Sequence, residues 1–159
     1  MHRWMMRAAV AMAILWSTAP ASASELLLGR ATAAPGASVT VPVGFRQGRG
    51  PVAVAVDTDI AFNARAFGNP RCAPGADLAT SGPGAKLVIC GQPRPGIVRV
   101  AVLGMNSEPV GTGELATVTF DVAANAHQRL YSLRQKPGAA DAQGTDFRLR
   151  HRNGSIRVR

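Results

Sequence analysis

Residues Gly111 to Val122 read GTGELATVTFDV, a glycine-punctuated turn that runs into a strictly alternating stretch. Ala116, Val118, Phe120 and Val122 fall on one side and Thr117, Thr119 and Asp121 on the other, the period-two pattern of a strand with one buried face. Ser38 to Arg46, SVTVPVGFR, repeats the plan with Val39, Val41, Val43 and Phe45 inward. Its Pro42 has no N–H to give a ladder, which predicts an edge position or a bulge. Ile97 to Leu103 places Val98, Val100 and Val102 inward and Arg99, Ala101 and Leu103 outward. Val52 to Phe62 sets Val52, Val54, Val56, Ile60 and Phe62 against Ala53, Ala55, Asp57, Asp59 and Ala61. That second face is flat, small and acidic, so a partner's surface can approach it closely; an ordinary exposed strand is the alternative.

Weaker signals fill the gaps. Glu25 to Arg30 reads as a short first strand, closed by the turn Ala34-Pro35-Gly36. Asn63 to Ala85, rich in Gly, Pro and Ala, reads as a long connection; Lys86 to Cys90 as a strand; Gly91 to Gly96 as a turn. Leu130 to Arg134 is a further strand, and Pro137 to Thr145 a flexible run. In Phe147 to Arg159 the pair Asn153-Gly154 predicts a hairpin, with Arg148, Arg150, Arg152, Arg157 and Arg159 sharing its solvent side. No amphipathic helical period follows residue 24, so the expected fold is all-β, an antiparallel sandwich of about eight or nine short strands.

The chain opens with Arg3 and Arg7, an apolar run from Ala8 to Trp16, and the small-residue triplet Ala21-Ser22-Ala23. This order is that of a secretory signal peptide cleaved after Ala23, with an uncleaved anchor as the alternative. No later segment reaches the roughly 18 apolar residues of a membrane span. Residues 24–159 are then one domain, secreted or periplasmic, and the two cysteines, Cys72 and Cys90, form a disulfide in that oxidising setting.

Of 18 Lys and Arg, Arg3 and Arg7 lie in the leader, leaving 16 against 9 Asp and Glu. Such a surface attracts polyanions or an acidic partner. The arginines are dispersed, however, and Tyr131 is the only tyrosine, which argues against a dedicated nucleic-acid role. No catalytic constellation assembles: Glu108 and Glu114 flank a loop without glycosidase geometry, and His127 and His151 lack ligand spacing. Gly111 to Ala116 fits G-x-G-x-x-A but enters a strand, so no dinucleotide cofactor is expected. Asp57 and Asp59 point the same way, yet two carboxylates fall short of the six to eight oxygens calcium takes, and no metal is expected.

Four segments in order, APGASVTVPVGF, DIAFNARAF, GELATVTFDVAANA and NGSIRV, together resemble the cohesin domain over about residues 26–159. The resemblance implies a nine-stranded jelly-roll sandwich, non-catalytic, that docks calcium-loaded dockerin modules of other extracellular proteins through one flat sheet face. Asp57 matches an acidic dockerin-contacting position of the family, and Ala55 stands where many members carry Asn. The expected partner-binding face is therefore Ala55, Asp57, Asp59, Arg99, Ala101 and Leu103. Two other readings stay open: a polysaccharide-binding module, although Trp4 and Trp16 both lie in the leader, or an envelope protein whose terminal arginines touch anionic surface polymer.

Overall fold

The structure, a computed structural model, describes residues 23–159. The leader read at residues 1–23 lies outside the described residues, apart from Ala23. Twelve strands follow, more than the eight or nine expected: β1 (Glu25–Leu28), β2 (Arg30–Ala33), β3 (Ser38–Arg46), β4 (Ala55–Ala61), β5 (Phe67–Pro74) and β6 (Leu87–Arg94), then β7 (Ile97–Leu103), β8 (Gly113–Val122), β9 (Leu130–Ala140), β10 (Asp146–Phe147), β11 (Arg150–Arg152) and β12 (Gly154–Val158). They form two sheets packed as a jelly-roll sandwich. One has the order β11-β1-β3-β8-β5; the other has β2-β12-β9-β4-β7-β6, with β10 on β9. Most neighbours are antiparallel, but β1 runs parallel to β11 and β2 parallel to β12.

The alternating stretches supply the core. Val39, Val41, Val43 and Phe45 of β3 and Val118, Phe120 and Val122 of β8 are buried, opposite Val98, Val100 and Val102 of β7. Phe120 contacts Phe62 at 5.0 Å and Phe67 at 6.1 Å between ring centroids, and Phe67 meets Tyr131 edge-on at 5.0 Å. Each such pair adds about 1 kcal/mol beyond its buried area.

Several expectations are corrected. β4 begins at Ala55, and the three residues before it run out of phase: Val52 is exposed and Ala53 fully buried. The stretch Asn63 to Ala85 contains β5, an edge strand on β8 that tolerates Pro70 and Pro74 because one side of it needs no donors. β6 continues through Pro93 to Arg94 for the same reason, and the turn shrinks to Pro95-Gly96. The run from Pro137 is not a loop, since β9 pairs with β4 as far as Ala140. Pro42 sits in the interior strand β3, with a bulge just beyond it at Val43/Gly44. Its carbonyl accepts the Gly29 N–H, so its missing donor faces the point where the chain leaves one sheet for the other.

The terminal segment is not a hairpin. β11 pairs with β1 in the first sheet and β12 with β9 and β2 in the second, so Asn153 is a crossover between sheets. β1 and β2 make the matching crossover at Gly29. The two crossovers lie against each other, and a β-carbon on Gly154 would strike the Gly29 carbonyl and the Leu28 side chain. Buried Gln135 of β9 ties this corner together: its Nε2 donates to the carbonyls of Leu26 (3.0 Å) and Arg152 (2.8 Å), and its Oε1 accepts from Thr58 (3.2 Å). Its backbone N–H donates to Asn153 Oδ1 at 3.0 Å. On the opposite side Cys72 of β5 and Cys90 of β6 are disulfide-bonded, joining the edge strand of one sheet to that of the other.

Two stability predictions follow from these closures. Gln135→Met strands two buried carbonyls and lowers the unfolding free energy by about 3 kcal/mol in denaturant titration. Replacing both cysteines by alanine releases a short loop and costs about 3 kcal/mol, a loss that reduction of the native chain reproduces.

Candidate functional site

The outer face of β6-β7-β4-β9 is assembled by register. Asp57 lies between Ala101 of β7 and Gly138 of β9; Asp59 lies between Arg99 and Lys136. On the far side of β7, Ala101 faces Ile89 and Leu103 faces Leu87. All six residues expected from sequence, Ala55, Asp57, Asp59, Arg99, Ala101 and Leu103, point outward on this surface. Sequence reading did not find Leu87 and Ile89, exposed at 62% and 52%, because only an alternation longer than Lys86 to Cys90 would have fixed their face. Lys136 and Gly138 were missed because Pro137 disguised their strand.

The two carboxylates differ sharply. Arg99 Nε and Nη2 each donate to an Asp59 oxygen at 2.7 Å, a bidentate pair. That hydrogen bonding holds the Asp59 carboxyl below its usual range and the Arg99 guanidinium above its own. Asp57 has no hydrogen-bond partner among the described residues. Desolvation between its neighbours raises its pKa; Arg99 works against that rise, and the like charges of Asp59 and Asp146 add to it. Around it the floor is Gly and Ala, and an open depression of about 290 Å³ lies beside it, lined by Ile89, Gly91, Pro93, Arg99 and Ala101.

The edge of this face is stapled from below. Lys86, only 2% exposed, donates from Nζ to Asn106 Oδ1 (2.8 Å) and to the Glu108 carbonyl (2.7 Å). Burial pushes the Lys86 ammonium pKa down, and the Glu108 charge partly restores it. This contact fixes the loop after β7 against the start of β6, next to Leu87.

The arginines assigned to a terminal hairpin are all exposed but divided. Arg150 and Arg152 edge the five-stranded sheet, Arg157 belongs to the other, and Arg148 and Arg159 flank them. Among the described residues no three His, Cys, Asp or Glu side chains converge as a metal cluster would. Nor is there a helix among them long and apolar enough to cross a membrane.

A sandwich that presents an open sheet face with an unpaired carboxylate at Asp57, rather than a closed cleft, has the build of a docking module. The family model of the cohesin domain matches residues 24–158, and the chain belongs to that family. Solved structures agree. The cohesin CaCohA2 of Clostridium acetobutylicum, crystallised in complex with CaDoc0917, is 25% identical with a TM-score of 0.73, over 86% of this chain and 99% of that one. The sixth cohesin of Acetivibrio cellulolyticus scaffoldin B, in complex with the Cel5 dockerin, is 18% identical with a TM-score of 0.70, over 87% and 100%. A non-cellulosomal cohesin of the archaeon Archaeoglobus fulgidus is 18% identical with a TM-score of 0.57, over 87% and 92%. A search of curated proteins returns no match.

The contrast between the carboxylates predicts opposite pH behaviour. Asp57 ionises at a cost in the fold, so Asp57→Asn leaves the thermal midpoint unchanged or higher at neutral pH, and the difference closes as pH falls through the raised Asp57 value toward 3.8. Asp59 stabilises when ionised, so Asp59→Asn lowers the midpoint at neutral pH and converges on the native chain as pH drops through the depressed Asp59 value. Melting curves over a pH series check both signs.

Proposed function

We propose that this chain is an exported, non-catalytic docking module that holds a dockerin-like extracellular protein against the outer face of β6-β7-β4-β9. The observation that carries the reading is Asp57. It is exposed, partly desolvated and without a hydrogen-bond partner among the described residues, on a floor of Ala55, Ala101 and Gly138 beside exposed Leu87 and Ile89. A carboxylate held at a cost in the free protein is repaid when a donor from another surface reaches it. The flat floor lets a helix or strand of that partner approach closely, and the two apolar side chains supply burial at the rim.

Membership of a family several of whose solved members are captured with dockerins supports the choice of partner. Export rests on the basic, apolar and small-residue order of residues 1–23 and on the disulfide, which an oxidising compartment maintains. On this reading residues 24–159 are the mature domain, and the partner, not this chain, carries any calcium.

The test is capture. Immobilised residues 24–159 are exposed to a secreted-protein extract in calcium and eluted with a chelator; a protein bearing a duplicated calcium loop is the expected eluate. Asp57→Arg reverses the charge and abolishes capture while leaving the thermal midpoint within a few degrees, and undiminished capture by that variant removes this face from the proposal.

A further inference from the structure

A second surface lies at the other end of the seven-stranded sheet. Here Arg30 and Thr32 of β2 pair with Ser155 and Arg157 of β12, which in turn pair with Ser132 and Leu130 of β9. The outward side chains line an open groove of about 530 Å³ containing Arg30, Thr32, Leu130, Asn153, Ser155 and Arg157. Arg30 also borders an adjoining depression of about 510 Å³ that turns the corner of the sandwich to Arg152, with Glu114 its single acid. None of these three arginines joins an ion pair among the described residues, where the ion pairs are Arg46–Glu25, Arg71–Asp121 and Arg99–Asp59. Arg152 and Arg157 are among the terminal arginines that the sequence offers to an anionic polymer; Arg30 was not anticipated beside them, because it comes from β2 and meets β11 and β12 only through the double crossover.

We infer that this groove is a binding site for an acidic polysaccharide, a chain of carboxylate-bearing sugars that runs from Arg152 past Arg30 to Arg157. Three features select that chemistry. Guanidinium forks left unpaired match carboxylates two at a time. Between them stand groups suited to sugar hydroxyls: Thr32, Ser155 and the Asn153 amide, whose oxygen is engaged by the Gln135 N–H and whose Nδ2 remains to donate. Among the described residues no aromatic side chain lines either depression, so the base stacking that retains single-stranded nucleic acid is absent and a sugar chain is held by charge and hydrogen bonds rather than by ring stacking. Arg30 and Arg157 stand one strand and two residues apart, about 8 Å between Cα atoms from strand geometry, close enough for two carboxylates of one polymer chain to be held at once. The groove is open along its length, as a polymer passing through it requires.

The site lies on strands that do not carry Asp57, so it stands or falls independently of the docking face. The test uses residues 24–159 and polygalacturonate at low salt, with neutral dextran and duplex DNA as comparison polymers. The double variant Arg30→Gln/Arg157→Gln binds polygalacturonate about tenfold more weakly, as two lost surface charge pairs imply. The variant Arg94→Gln/Lys136→Gln removes the same charge from elsewhere on the same sheet and changes binding less than about twofold, the level of a distant screened charge. Binding that weakens equally in both variants reduces the effect to net charge and overturns the site. So do tighter binding to DNA than to polygalacturonate, equal binding to dextran, and no binding at all.

Discussion

The fold depends on the amide of Gln135. A two-sheet sandwich must close its open sides, and here one side is closed by the chain changing sheets twice at the same corner, at Gly29 and at Asn153. The backbone carbonyls that face the inside of this corner need donors there. Gln135 reaches from β9 to two of them, those of Leu26 and Arg152, and takes the Thr58 hydroxyl with its remaining oxygen. One side chain thereby links β9 and β4 of one sheet to β1 and β11 of the other. The opposite side needs no such device, since the Cys72–Cys90 bond spans it covalently.

These closures set where each surface lies. With β6 held by the disulfide and by buried Lys86, the β6-β7-β4-β9 face is fixed out to its edge, and Leu87 and Ile89 remain outside. On β4, two aspartates two residues apart share one face and have different fates. Arg99 consumes Asp59, while Gly138 and Ala101 offer Asp57 nothing to bond. At the crossover end, strands from both termini of the domain interleave and bring their arginines side by side.

Most of the core was legible in the residues. Strict alternation in β3, β7 and β8 survives in the structure because those strands are central and each must bury one face. What was hidden lies at edges and crossings. β5, the end of β6 and the end of β9 carry prolines that read as loop, yet each proline is tolerated where one side of its strand is unpaired or has lost its neighbour. Asn153-Gly154 has the composition of a hairpin turn, but its Asn caps Gln135 and its Gly passes beneath Gly29, contacts set by residues far away in sequence. The buried polar side chains Gln135, Thr58 and Lys86 were unreadable for the same reason: periodicity assigns a face, not a partner. At the docking face, the outward positions of β4 and β7 followed from alternation, whereas Gly138, Leu87 and Ile89 needed the sheet order.

The double crossover has a mechanical consequence. β1 lies parallel to β11, Glu25 beside Arg150, and β2 lies parallel to β12, Ala33 beside Val158. A tension applied between Ser24 and Arg159 therefore drags these neighbours past one another along their length, loading their hydrogen bonds together instead of peeling them one at a time. Resistance of this kind is a matter of unfolding rate rather than equilibrium stability.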